Sequence, residues 1–216
     1  MSNQEIPLFG EPEIINYNDT YKGKVPGLDY FPNFIDPVVE KGLIEKLSSR
    51  DWLIDLTCRV QHYGYMYDYK RRRVDSSMRI ADPPAWIQEY SERLYKDSIF
   101  DEIPDQVIVN EYKPGQGISK HIDCEPCFTD TVASLSLGSK CIMDIINKND
   151  NKEVYPFLLE PGSLIVLKGE SRYEWMHRIR PRKTDKYELP DSINKPQTFQ
   201  RELRISITFR KVILQK

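Results

Sequence analysis

The chain has 216 residues, of which 39% are hydrophobic, 30% charged and 11% aromatic, and its net charge is −2. That is enough apolar material for one globular domain and excludes a chain disordered throughout. The near-neutral balance excludes a globally basic nucleic-acid binder, and no run approaches the roughly 18 apolar residues of a transmembrane helix. The opening MSNQEIPLFGEPEI lacks a basic segment followed by an apolar run, so no secretory signal and no membrane partner are expected. Cysteines at 58, 124, 127 and 141 do not make a disulfide scaffold. A reducing intracellular compartment, cytoplasmic or nuclear, is the expectation.

In chain order, residues 1–34 are rich in Pro, Gly and Asn and read as an irregular arm. Asp36-Pro37 then announces a helix, since Asp suits the N-cap and Pro the first helical position. Val39, Leu43 and Leu47 recur behind it every four residues. A second helix is expected after Asp82-Pro83-Pro84, with Ile87, Tyr90 and Leu94 on one face. Between them RVQHYGYMYDYKRRR, residues 59–73, alternates aromatic and polar residues around a glycine. It reads as a strand pair or a long functional loop. From Gln106 the texture changes to short β runs: QVIVNEY, TVASLSLGS, CIMDII, VYPFLL, SLIVLKG and RISITFRKV. Many short strands punctuated by turn residues argue a barrel or sandwich. The expected layout is one domain over 35–216, with a helical front at 35–104 and a β core at 105–216.

HIDCEPC, residues 121–127, supports two kinds of site. Cys124-x-x-Cys127 suggests zinc or a redox dithiol. Zinc needs two more ligands, and Cys58 and Cys141 form no second pair at the usual spacing. A redox pair belongs at a helix start in a βαβ setting, which is absent from the pattern. A zinc site that adds His121 or Asp123 to the two cysteines stays an alternative to a role as loop and wall residues near the metal. His121-x-Asp123 at a strand end would put both side chains on one face. With His177, just beyond SLIVLKG, two histidines and a carboxylate could occupy one face of an octahedral iron and leave positions open. Of the other residues, His62 has no partner in this motif and reads as structural or substrate-facing.

The last strand alternates Arg204, Ser206, Thr208 and Arg210 with Ile205, Ile207 and Phe209. It is either an edge strand showing polar groups to water or a stripe lining a barrel. In the second case two guanidiniums face an acidic ligand, for which their forked donors are suited. Asn110 and Tyr112 share a face and could bring neutral donors to the same ligand. Two basic runs, Lys70 to Arg73 and Arg178, Arg180, Arg182 with Lys183, are either solvated faces or phosphate contacts.

Taken together, NEYKPGQGISKHID, SLSLG, the distal His177 and RISITFR resemble the AlkB family of iron(II)- and 2-oxoglutarate-dependent dioxygenases. The resemblance is strong over roughly residues 105–212 and looser in the helical front. HYGYMYDY, SLSLGSKCIMDI and GESRYEWMHRIRPRK are most similar to the branch that hydroxylates modified wobble uridines in tRNA. It implies a mainly β fold with flanking helices (α+β), built on a double-stranded β-helix, or jelly-roll, core. His121, Asp123 and His177 would hold Fe(II). Arg204 and Tyr112 would hold the distal carboxylate of 2-oxoglutarate, with Arg210 and Asn110 at its metal-chelating end. Ser206 stands where some members carry Asn. Dioxygen would be the other co-substrate, and succinate and carbon dioxide would be released. Substrate contacts would come from Tyr63, Tyr65, Arg71, Glu125 and Trp175, although tyrosines at 63, 65, 67 and 69 could equally pack a front sheet and Trp175 could be core. The implied partner is nucleic acid, RNA such as tRNA before DNA, with a separate tRNA methyltransferase supplying substrate. The alternatives are oxidative demethylation of N-alkylated bases in DNA or RNA, hydroxylation of a protein side chain, or a binding module without catalysis.

Overall fold

The computed structural model describes residues 17–55, 58–68, 71–187 and 196–214. Asp36 caps the first helix (α1, Pro37–Ser48), its Oδ1 accepting from the backbone N–H groups of Val38 and Val39 at 2.8 and 2.9 Å. Leu43 and Leu47 are buried, while Val39, a turn earlier, stays exposed, so the apolar face is shorter than the periodicity suggests. The second helix (α2, Ala85–Lys96) buries Ile87 and Leu94, with Tyr90 at the margin of the same cluster.

The β runs become Gln106–Tyr112 (β4), Phe128–Gly138 (β6), Cys141–Asn147 (β7), Val154–Leu159 (β8), Leu164–Lys168 (β9) and Arg204–Val212 (β13). Shorter strands join them: Leu28–Phe31 (β1), Leu53–Asp55 (β2), Cys58–Tyr63 (β3), Ile118–His121 (β5) and Trp175–Ile179 (β10). The major sheet has the order β1-β9-β6-β13-β4-β3-β2, and the minor sheet the order β5-β10-β7-β8. A ribbon of Thr184–Tyr187 (β11) and Gln197–Gln200 (β12) stands apart, and all pairings are antiparallel. Two facing antiparallel sheets with helices on one outer side are the mainly β, jelly-roll architecture expected.

Alternation along the central strands makes two separate cores. Val107, Val109, Leu135, Leu137, Ile205 and Phe209 face the helices and meet Leu43, Leu47, Ile87 and Leu94. The opposite face meets the minor sheet through a second cluster that includes Met143, Ile145, Ile165, Trp175 and Ile179.

Strands from either side of residues 34 and 104 share the major sheet. Leu28–Phe31 is an edge strand paired with β9, and β2 and β3 extend the other edge. A four-residue strand flanked by turn residues leaves too short an alternation to stand out from an irregular arm. Residues 1–16 of that arm lie outside the described residues.

The aromatic front also differs from a continuous strand. Gly64 has φ +76°, and a Cβ there would lie 1.8 Å from the Asp105 carbonyl oxygen. The chain therefore turns at Gly64, and Tyr63, Tyr65 and Tyr67 do not share one face. Tyr69 and Lys70 lie outside the described residues. Gly64→Ala combines a left-handed backbone penalty of about 1–3 kcal/mol with a collision against main chain. The expected result is a lowered urea midpoint at unchanged slope. A midpoint equal to wild type would show that the turn relaxes freely.

Candidate active site

The last strand is not an edge. β13 lies between β4 and β6, so Arg204, Ser206, Thr208 and Arg210 point into the space between the sheets, each less than 10% exposed. Burying two guanidiniums is costly unless they meet acceptors. The pocket they line also contains His121, Asp123, His177, Asn110 and Tyr112.

His177 and His121 are directly opposed in the β10–β5 pairing, and their rings lie 4.2 Å apart. Asp123 follows the end of β5 and turns back to the same point. Ligand atoms of the three residues all lie within 4.8 Å of one another, the only such group of three or more His, Cys, Asp or Glu among the described residues. The carbonyl of Ser119 lies 2.9 Å from His121 Nδ1. A proton held there leaves the Nε2 lone pair for a metal. His177 Nε2 is 3.7 Å from Asp123 Oδ2. Burial pushes the His177 pKa down to about 3, so its imidazole is neutral and the contact is not an ion pair. Burial alone would raise the Asp123 pKa, but Arg210 foremost, whose Nη2 lies 2.5 Å from Oδ1, holds it well below the carboxylate range. Two imidazoles and one anionic carboxylate form the donor set that suits Fe(II). His177 Nδ1 is buried without a hydrogen-bond partner among the described residues.

The acidic co-substrate also finds suitable donors. Arg204 gives Nη2 to Ser136 Oγ at 2.9 Å and lies 5.7 Å from the Tyr112 ring, while its buried Nε has no partner among the described residues. The Nε of Arg210 is likewise buried and unpaired. Buried donors are normally satisfied, and a carboxylate-bearing ligand would satisfy these. Arg210 is tied to Asp123 of the triad, and Arg204 stands six residues along the same face. Ser206, paired across to Asn110 and Ser136, occupies the middle. Its short side chain leaves the floor open.

The expected substrate contacts divide. Tyr63 is half-buried against the helix-side core and donates to Gln61 Oε1 at 2.8 Å. Tyr65 is buried with Val74, Cys124, Cys127 and Phe128. Trp175 is 4% exposed within the inter-sheet core, its Nε1 3.4 Å from Glu170 Oε1. Tyr65 and Trp175 are taken up by packing, and Tyr63 is so in part. Glu125 is exposed and faces Lys148 at 4.0 Å. Arg71 is exposed at a turn that Asp68 closes through the Arg71 backbone N–H at 2.9 Å. Of the front aromatics, Tyr67 feels the charges of Arg210 and Asp123. It packs on Phe128 with centroids 5.5 Å apart, and Phe128 in turn lies 4.9 Å from the Arg210 guanidinium. His62 shares the site-side face of β3, since its neighbour Val60 is paired with Asn110.

Cys124 and Cys127 are joined in a disulfide across a tight turn, where Cys127 N donates to the Cys124 carbonyl at 3.2 Å. The turn itself brings the two sulfurs together. Both sulfurs lie against the carbonyl of Arg72, at 3.2 and 3.3 Å. Among the described residues no zinc-type group surrounds them.

The second basic run is organised by two buried carboxylates. Arg178 and Arg180 both reach Asp144 Oδ2, through Arg178 Nη2 at 2.6 Å and Arg180 Nε at 2.7 Å. Arg182 and Arg201 both reach Asp185. The sequence reading missed Ser134 and Ser136, although their alternation in SLSLG is the signal that would have placed them on the pocket face. It also missed Arg172, for which the sequence carries no local signal.

The model of the 2OG-Fe(II) oxygenase superfamily matches residues 30–210. A protein of Arabidopsis thaliana named alkylated DNA repair protein ALKBH8 homolog is 35% identical over 209 residues, covering 87% of this chain and 59% of its own length. The tRNA (carboxymethyluridine(34)-5-O)-methyltransferase alkbh8 of Xenopus tropicalis is 33% identical over 204 residues, covering 87% of this chain and 32% of its own. The chain thus spans about a third to three fifths of these two relatives. The solved structure of OsALKBH1 superposes with a TM-score of 0.62 at 17% identity, covering 86% of this chain and 98% of that one. Its likeness shows the fold.

Proposed function

This chain belongs to the 2OG-Fe(II) oxygenase superfamily, and from that premise we propose that it oxidises a modified nucleobase in RNA, with the wobble uridine of tRNA as the preferred substrate. One observation carries the chemistry: the polar face of β13 brings Arg204 and Arg210 into the same pocket as His121, Asp123 and His177. The choice of RNA is supported by the 33% identity to a protein named for modification of uridine 34.

In this reading His121, Asp123 and His177 hold iron, with Asp123 kept anionic by Arg210. Arg204 and Tyr112 take the distal carboxylate of 2-oxoglutarate, and Arg210 and Asn110 steady the other end. Iron(II) with 2-oxoglutarate and dioxygen supplies the oxidising power that converts a C–H bond to C–OH, with succinate and carbon dioxide released. The protein's own work is to orient the reacting C–H group and keep competing water out of a narrow, partly apolar pocket. On a methylene beside an ester the hydroxyl stays. On an N-methyl group the product collapses to formaldehyde and the free base. A flipped or single-stranded base needs an aromatic or cationic plane, and Tyr67 over Phe128 and Arg210 is the candidate. A tRNA methyltransferase is the partner that supplies the ester.

Arg180 and Arg182 are the proposed contacts for the RNA backbone. Each reaches its buried carboxylate through Nε, so its terminal nitrogens can meet a phosphate.

The test measures succinate formation with iron(II), aerobically and anaerobically, with bulk tRNA, methylated DNA or no nucleic acid. Stimulation by tRNA with a stable hydroxyl product, absent in His121→Ala, is expected. Stimulation by methylated DNA with formaldehyde release would replace this reading with base repair. Arg180→Ala with Arg182→Ala should weaken tRNA binding and flatten its salt dependence by about 1–2 in log–log slope. Turnover without RNA should be unchanged. An unaltered slope would remove the two arginines from the interface.

A further inference from the structure

A single-turn helix, Glu170–Tyr173 (α3), separates β9 from β10 and carries a guanidinium with almost no surface. Arg172 is 2% exposed, and heads the largest fully buried side chains. Arginine is almost never fully buried unless paired, yet Arg172 forms no salt bridge among the described residues. Its donors go to main chain instead. Nη1 donates to the carbonyl of Asp123 at 3.1 Å and Nη2 to the carbonyl of Cys124 at 3.2 Å. Nε has no partner. The helix itself is anchored, since Ser171 N donates to Pro26 O at 2.9 Å and Ser171 Oγ to Gly27 O at 2.8 Å.

The placement links the two halves of the metal site. β10, which presents His177, begins two residues after α3, and the loop that Arg172 grips carries Asp123 just beyond the end of β5. Asp123 has left the sheet ladder, so no strand pairing sets its main chain. Its carboxylate is located by Arg210 from β13. The peptide that bears it is located by Arg172.

We propose that Arg172 is a positioning residue for the metal centre: its planar fork on two successive carbonyls sets the distance between the Asp123 and His177 ligand atoms. This inference rests on the reading of the triad as a metal site. The guanidinium suits the task because its two parallel donors match two carbonyls at a fixed spacing, whereas an ammonium can serve only one of them at full strength. Groups that orient metal ligands without touching the metal commonly change metal affinity about 10–100-fold when removed.

The experiment is an anaerobic Co(II) titration of the full chain, followed by the visible absorption of the bound ion. It compares wild type, His121→Ala, Arg172→Met, Arg172→Lys and Leu47→Ala. Leu47 is a fully buried residue of the helix-side core, so its truncation destabilises the fold away from the site. Saturable binding in wild type, lost in His121→Ala, is the expected starting point. If wild type binds no Co(II), the triad reading and this inference fall together. Given that binding, Arg172→Met should raise the dissociation constant about 10–100-fold and shift the absorption bands, with Arg172→Lys between it and wild type. Leu47→Ala should lower the melting temperature and leave the dissociation constant alone. If Arg172→Met fails to fold, the intermediate value in Arg172→Lys carries the test. A dissociation constant within about twofold of wild type in the folded Arg172 variants would overturn the inference. So would a Leu47→Ala effect as large as theirs, because Arg172 would then be structural only.

Discussion

Asp123→Ala should abolish metal binding and 2-oxoglutarate turnover and, in the same step, destabilise the fold by about 3–5 kcal/mol. Both effects follow from one carboxylate. Asp123 is 7% exposed and Arg210 8%, and Arg210 Nη2 lies 2.5 Å from Asp123 Oδ1. Removing the carboxylate leaves a buried guanidinium without its counter-charge, which costs far more than losing a surface pair. It also removes the only anion of the donor set. The two consequences separate in a double variant. Arg210→Met added to Asp123→Ala should recover a large part of the urea midpoint and none of the turnover. If the double variant is as unstable as the sum of the singles, the pair is not coupled and the electrostatic account is wrong. If Asp123→Ala still binds Co(II) with wild-type affinity, Asp123 is not a ligand.

Arg204→Met should raise the KM for 2-oxoglutarate by roughly 30-fold to a few thousand-fold, with Co(II) affinity unchanged. Truncating one partner of a buried, hydrogen-bonded charge pair costs about 2–5 kcal/mol, and each 1.4 kcal/mol is about tenfold in affinity. Arg204 is buried at the opposite end of the pocket stripe from Arg210, with its Nε unpaired among the described residues. Arg204→Lys should recover only part of the loss, because an ammonium cannot offer the parallel donors of the fork. An unchanged KM in Arg204→Met would move the co-substrate's carboxylate elsewhere. A parallel fall in metal affinity would show that the variant disturbs the whole site.

Much of the site was legible because its residues repeat at the period of their element. Arg204 to Arg210 alternate at the period of a strand, and Asn110 with Tyr112 follows the same rule on β4. Asp36-Pro37 announced α1 through chemistry local to four residues. Other assignments failed where a single residue broke the period. Gly64 turns the chain, so Tyr63 joins the helix-side core, while Tyr65 and Tyr67 join a small satellite cluster beside the loop that carries Asp123. Trp175 lies two residues from His177 on the same strand, and period two alone could not distinguish a pocket wall from core.

The sequence by itself determined the members of the candidate site: two histidines and one aspartate through the family resemblance of their motifs, a polar stripe ending in two arginines, and the strand and helix propensities that carry them. These are local properties, set by spacing and side-chain chemistry. Only the tertiary structure decided that β13 is central, which turns its polar stripe from a wet edge into a pocket floor. It likewise set His177 opposite His121, a matter of register between strands far apart in the chain. It also buried Arg172 behind the ligand loop. Strand order, register and the burial of a charge depend on which distant segments pack together, and no local pattern encodes that choice.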